Sequence, residues 1–182
     1  MPIQTVSQSF ANRDSGSFAY RNLVINGAME IAQRGTSFNA TAWNNGKSLD
    51  RWFHYSQGGG TYAVAQSTDV PTNSGLKNSM VLTVGTTDSS VGSSDHYILM
   101  QRMEGKMITP LIGGLSAGVK QHTVSFWFKT SVSQTYSFTA RLIGSGTTYS
   151  YAVDFTPTAI NTWERKTITI PASTVGAPQS NE

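Results

Sequence analysis

Gln121–Lys129, QHTVSFWFK, is the stretch that decides the fold. Val124, Phe126 and Phe128 alternate with Thr123, Ser125, Trp127 and Lys129. A period of two puts successive side chains on opposite faces of a strand. One face is therefore apolar, and the other is polar except for Trp127.

The same period recurs on either side. In Tyr136–Ile143, YSFTARLI, the residues Tyr136, Phe138, Ala140 and Leu142 face in, and Ser137, Thr139 and Arg141 face out. The SVSQ segment between the two stretches predicts that they pair as a hairpin. Gly144–Gly146 turns the chain into Thr148–Phe155, and Trp163–Pro171 adds a strand with Ile168 and Ile170 inward. Towards the N-terminus, His96–Glu104 and Ser79–Val84 alternate as strands. Arg51–Ser56, a turn at Gly58–Gly60 and Thr61–Gln66 read as another hairpin. In Arg51–Ser56, Trp52, His54 and Ser56 share one face and Phe53 and Tyr55 the other. About nine to eleven short strands with close turn signals and no convincing helix predict an all-β jelly-roll β-sandwich.

Composition agrees. Charged residues make up 13% of the 182 and apolar residues 38%. A helical enzyme domain would use more Ala, Glu, Lys and Leu. Without cysteine, disulfides and thiolate metal sites are excluded. The net charge of +3 comes from scattered Lys and Arg, which argues against a nucleic-acid interface. No apolar run approaches the ~18 residues of a membrane span. The start, MPIQTVSQSF, does not read as a Sec-type signal peptide.

Residues 1–20 lack a strand or helix period. They read as an extended arm that attaches to a partner through Phe10, Phe18 and Tyr20, or as a plain flexible terminus. In Arg21–Phe53, Asn22–Asn26 and Met29–Gln33 read as short strands split at Gly27, and Arg34–Gly46 as a surface loop. Trp43 in that loop is either a lid on the core or displayed.

The chemistry is sparse. His54, His96 and His122 show no ligand spacing, and no nucleophile elbow, P-loop or dinucleotide fingerprint occurs. No cofactor is expected, although loop aspartates and carbonyls could hold a structural Ca2+. No local motif pairs two carboxylates as a glycoside hydrolase requires. Saccharide recognition needs an aromatic face, hydrogen-bonding groups and a cation or two on a rigid sheet. Trp127, Lys129, Arg141 and Arg102 are the candidates for a glycan face. The plainer alternative is a solvated face, or one covered by the Arg34–Gly46 loop or a neighbouring subunit.

One block carries a resemblance. Asn22, Leu23, Asn26, Gly27, Gln33, Arg34, Gly35, Thr36, Ser37 and Phe38, followed by Asp50, Arg51 and Trp52, resemble a segment of bacteriophage tail fibre and related virion structural proteins. Gln101–Glu104, Ser125–Trp127 and Trp163 resemble the same proteins in order and distance. The resemblance covers about Arg21 to Ala172. It implies a carbohydrate-binding-module-like jelly roll on a phage particle, a homotrimer, and host-surface glycan as a partner. Family members run on past the strand at Trp163–Pro171, so residues 173–182 are either a polar tail or the start of a continuation.

The sequence thus leads to three expected parts: an arm over 1–20 contacting other virion proteins, a sandwich over 21–172, and 173–182. The expected protein is a non-enzymatic tail fibre or fibre-like appendage, located in the virion and made in the host cytoplasm. The alternatives are a polysaccharide depolymerase, or a head fibre or decoration protein that binds no sugar.

Overall fold

In a computed structural model the protein is all-β, built from antiparallel pairs. The structure describes residues 22–40, 46–108, 121–143 and 148–172. The arm with Phe10, Phe18 and Tyr20, the indole of Trp43 and the 173–182 segment lie outside the described residues. The chain divides into two compact units, Val24–Arg102 and the remainder.

In Val24–Arg102, β1 (Ser37–Ala40), β4 (Thr61–Ser67) and β5 (Ser79–Thr86) form one sheet in the order β1-β4-β5. β2 (Gly46–Lys47), β3 (Trp52–Gln57) and β6 (His96–Gln101) form another in the order β2-β3-β6. The expected hairpin across Gly58–Gly60 is therefore corrected: β3 and β4 are consecutive in sequence but belong to different sheets. The reason lies in the partners of that turn. Gly59 N–H donates to Asp88 Oδ2 (3.1 Å) and Gly60 N–H to the Tyr97 hydroxyl (2.8 Å), which donates to the same Asp88 oxygen (2.7 Å). The turn is latched to the β5–β6 connection and to β6, and the chain crosses between sheets there. Arg34–Gly46 is also not all loop, because Ser37–Ala40 pairs with β4 from Ser37↔Ala65 to Ala40↔Tyr62.

Tyr62 ties the two sheets together. Its side chain is buried on β4, and its hydroxyl lies 3.0 Å from the carbonyl oxygens of both Tyr55 on β3 and Ile98 on β6, sharing one proton between them. Burial pushes this hydroxyl up to about 12. Val64, one pleat further along β4, is fully buried. On β3 the buried face is the polar one: His54 and Ser56 are inside, and Phe53 and Tyr55 are half-buried. The His54 ring meets Tyr62 edge-on at 5.8 Å and faces Gly46 across the β2–β3 pair. A Cβ at Gly46 would stand 2.0 Å from His54 Nε2, so the ring occupies the space a side chain would need.

The segment before β1 is also a correction. Asn22–Asn26 and Met29–Gln33 form turns and irregular backbone instead of strands. Asn26 adopts a left-handed conformation (φ 55°), which an Asn tolerates better than most residues. Its Nδ2 donates to Ile31 O (2.9 Å) and Asp50 O (3.0 Å), and its Oδ1 accepts from Ile31 N–H (3.0 Å). Its carbonyl accepts from the Trp52 indole (3.1 Å). Gln101 closes both sides of Ile25 (2.8 and 2.7 Å), and Asp50 Oδ2 accepts from Gln33 N–H (2.7 Å). The backbone groups of a would-be strand are thus satisfied by side chains, so no ladder is needed.

The second unit contains β7 (His122–Phe128), β8 (Tyr136–Ile143), β9 (Thr148–Phe155) and β10 (Glu164–Ile170), after one helical turn at Gly105–Ile108. The strands form two ribbons, β7 with β10 and β8 with β9. The expected hairpin between Gln121–Lys129 and Tyr136–Ile143 is therefore also corrected. Those two strands meet through their apolar faces instead of their edges. Phe126 stacks on Phe138 (6.3 Å), Phe128 meets Tyr136 (4.9 Å), and Phe155 of β9 contacts Phe126, Phe128 and Tyr136 at 5.6, 5.2 and 5.9 Å. The alternation read from the sequence holds on both β7 and β8. Ile168 on β10 is buried, as expected.

Two measurements follow. Among the described residues neither ring nitrogen of His54 has a hydrogen-bond partner, and the residue is 2% exposed, so burial depresses its proton affinity below the ordinary 6.5. Above that pH the imidazole is neutral in both states. Below it the unfolded chain takes up the proton first, and stability falls until the pH passes the folded value. Urea unfolding will show stability falling as the pH is lowered from about 7.5 to about 5, and His54→Leu will remove that part of the slope. In the same assay Asn26→Ala will cost about 2–4 kcal/mol. Asn26→Gly will recover only the conformational share, because glycine accepts the left-handed backbone but restores no side-chain bond.

Candidate ligand-binding face

Because the apolar faces of the two ribbons pack together, their other faces point outward. On the β7–β10 ribbon the register sets Thr123 opposite Thr169, Ser125 opposite Thr167, and Trp127 opposite Arg165. Trp127 is 41% exposed. One step beyond the ladder, Lys129 Nζ stands 5.8 Å from the centre of the Trp163 ring. Arg165 Nη2 donates to Ser125 Oγ at 2.9 Å, pinning the guanidinium along the ribbon. Two indoles and two cations therefore alternate diagonally across one face. Diagonal positions on an antiparallel pair are about 7–8 Å apart.

Local devices hold the second indole in place. Asn161, at φ 57°, donates its N–H to Thr130 O (2.6 Å), which brings the turn before β10 against the end of β7. Glu164 Oε1 accepts from Thr158 N–H (3.1 Å) and its Oε2 pairs with Lys166 Nζ (3.0 Å), while Lys166 also donates to Thr156 O (2.6 Å). The Thr158 and Lys166 contacts hold the Glu164 carboxyl below the usual carboxylate range. By strand parity Glu164 and Lys166 belong to the inner side, so their charges cancel away from the outward face.

The four residues proposed from the sequence fall in three places. Trp127 and Lys129 share the β7–β10 face. Arg141 lies on the outward face of the β8–β9 ribbon, opposite Ser150. Arg102 belongs to the Val24–Arg102 unit, where its guanidinium donates to the Tyr55 hydroxyl (2.9 Å) and lies over the Phe53 ring (5.5 Å). Arg165 and Trp163 were missed. Their strand was read correctly, but its partner was not. Only pairing β10 with β7 in this register brings them beside Trp127 and Lys129.

Acidic groups collect elsewhere. Asp88 and Asp95 both approach Gly58, but Asp88 accepts from Tyr97, Ser90 N–H and Gly59 N–H, and Asp95 accepts from Gly92 N–H (2.6 Å). The Tyr97 hydroxyl, above all, holds Asp88 below the ordinary carboxylate range, the opposite of what a general acid in glycoside cleavage needs. Among the described residues no group of three or more His, Asp or Glu could hold a metal ion. Among the same residues no helix is long and apolar enough to cross a membrane. Comparison with family models, curated proteins and solved structures gave no match.

The two sides of the β7–β10 ribbon separate cleanly by mutation. Trp127→Ala will shift the urea midpoint by less than the equivalent of about 1 kcal/mol, a cross-strand pair's worth. Phe155→Ala will cost about 3 kcal/mol, because it removes a ring shared by both ribbons.

Proposed function

We propose that this chain is a non-enzymatic structural protein of a bacteriophage particle, a fibre or fibre-like appendage. In this reading it displays a jelly-roll sandwich of the carbohydrate-binding-module type and holds a saccharide on the β7–β10 face. The observation that carries the proposal is the register that sets Trp127 opposite Arg165, with Lys129 over Trp163 beside them, on an exposed ribbon face. Indole faces stack on sugar C–H groups, and pinned cations and hydroxyls take its polar groups. The particle assignment is supported by the sequence block from Asn22 to Trp52 together with Gln101. Residues 1–20 would attach the chain to the particle and leave the sandwich exposed.

An assembly of copies is part of the same proposal. Among the described residues β5 is an edge strand in its sheet, and Val81, Leu82 and Val84 on it are 40%, 45% and 64% exposed. Such an edge is open to pairing with a second copy. Light scattering of the purified chain will report a trimer if the proposal holds and a monomer if this part of it fails.

On a glycan array the wild-type chain will bind a subset of bacterial surface glycans, and Trp127→Ala will lose that binding while particles still assemble. Binding unchanged in Trp127→Ala would remove this face from consideration. Release of reducing ends from host polysaccharide would replace the proposal with the depolymerase alternative.

A further inference from the structure

Asn26 is followed by Gly27, and an asparagine before glycine is open to attack by its own backbone. The Gly27 nitrogen bonds to Asn26 Cγ, ammonia leaves, and the resulting succinimide takes up a water to give aspartate or isoaspartate. The step needs neither an enzyme nor an oxidant. In this fold both reacting groups are held. The Asn26 carboxamide is fixed by Ile31 O, Asp50 O and Ile31 N–H at 2.9, 3.0 and 3.0 Å. The peptide unit that carries the Gly27 nitrogen is fixed through its oxygen, which accepts from the Trp52 indole and from Met29 N–H, both at 3.1 Å. Asn26 is left-handed (φ 55°). In that conformation ψ is about +47°, which sets the next nitrogen nearly opposite Cβ across the Cα–C bond. Ring closure needs the two on the same side.

We infer that Asn26 is a deamidation site suppressed by the native fold, and that its conversion makes prolonged opening of the Val24–Arg102 unit irreversible. The product cannot restore the native contacts. A carboxylate in place of the amide removes both N–H donations and sets an anion against the carbonyl oxygens of Ile31 and Asp50. Isoaspartate also lengthens the main chain by one carbon, which displaces the carbonyl from Trp52 and Met29. A molecule that opens briefly closes again, whereas a molecule held open loses the residue that ties this segment to the start of β3.

Mass spectrometry of the full chain, incubated in mildly alkaline buffer with and without guanidinium chloride, tests the inference. The same dipeptide recurs at Asn45–Gly46, and the tryptic peptides Asn22–Arg34 and Gly35–Lys47 separate the two. In denaturant both are expected to convert at similar rates. In buffer Asn26 is expected to convert about tenfold or more slower than in denaturant, because it reacts only in the open fraction. The yield of refolded protein on dilution is expected to fall in step with Asn26 conversion. Gly27 is exposed and its φ is not left-handed, so Gly27→Ala suits the backbone while its Cβ hinders ring closure. This variant is expected to keep its refolding yield after the same incubation. Asn26→Asp is expected to have a urea midpoint at or below that of Asn26→Ala, and it decides the matter if Gly27→Ala does not fold at the outset. Equal conversion of Asn26 in buffer and in denaturant would overturn the protection. Full refolding of converted chains, an equal loss of yield in Gly27→Ala, or a wild-type midpoint in Asn26→Asp would overturn the irreversibility.

Discussion

A two-stranded ribbon is marginal in water by itself, because half of its side chains have nothing to pack against. The cluster of Phe126, Phe128, Tyr136, Phe138 and Phe155 resolves this for two ribbons at once. Each edge-to-face or offset pair contributes about 0.5–1.5 kcal/mol beyond the area it buries. The outward face of β7–β10 depends on this cluster. Trp127 and Arg165 hold fixed positions because the residues that flank them in sequence, Phe126 and Phe128 on one strand and Glu164 and Lys166 on the other, are committed to the inner side. The packed ribbon thus gives flat aromatic surface and charge a rigid support.

The Val24–Arg102 unit solves a different problem. Its buried interior is small and partly polar, with Leu49, Tyr62 and Val64 beside Ser48, His54 and Ser56. Much of its definition comes from side chains that satisfy backbone groups. Asn26 is the centre of that arrangement, and Asp50, Trp52 and Gln101 complete it. These residues belong to the block on which the expectation of a phage virion protein rests. The block is therefore legible as a structural device: its polar residues tie an irregular segment across the ends of β3 and β6. A block of this kind speaks to the scaffold on which a protein is built, and says little about the ligand it holds.

Electrostatics divides the molecule in a similar way. Asp88 and Tyr97 spend their charge and hydrogen-bonding capacity on the latch at Gly59 and Gly60, and Glu164 and Lys166 spend theirs on the loop before β10. On the outward face of β7–β10, Arg165 is held along the ribbon by Ser125. Arg102, expected from the sequence on the same glycan face as Trp127, is instead paired with Tyr55 and Phe53.

Period-two alternation determined the all-β class, the existence of nearly every strand, and which residues of β7, β8 and β10 point inward. It did so because burial on one face of a pleated strand is a local property of consecutive residues. The pairing of the strands was not legible. Both hairpins expected from short turns gave way to crossings between sheets or ribbons. Apolar faces attract each other irrespective of sequence order, and the groups that latch a turn, such as Asp88 and Tyr97, come from far along the chain. The strands expected at Asn22–Asn26 and Met29–Gln33 failed for the same reason, since Asp50, Gln66 and Gln101 supply the partners of that backbone. Trp127 could be singled out from sequence because an indole on a polar face breaks its own strand's pattern. Trp163 and Arg165 became its neighbours only through the tertiary pairing of β10 with β7, because register between distant strands is set by the packing of their buried faces and is not written in either strand alone.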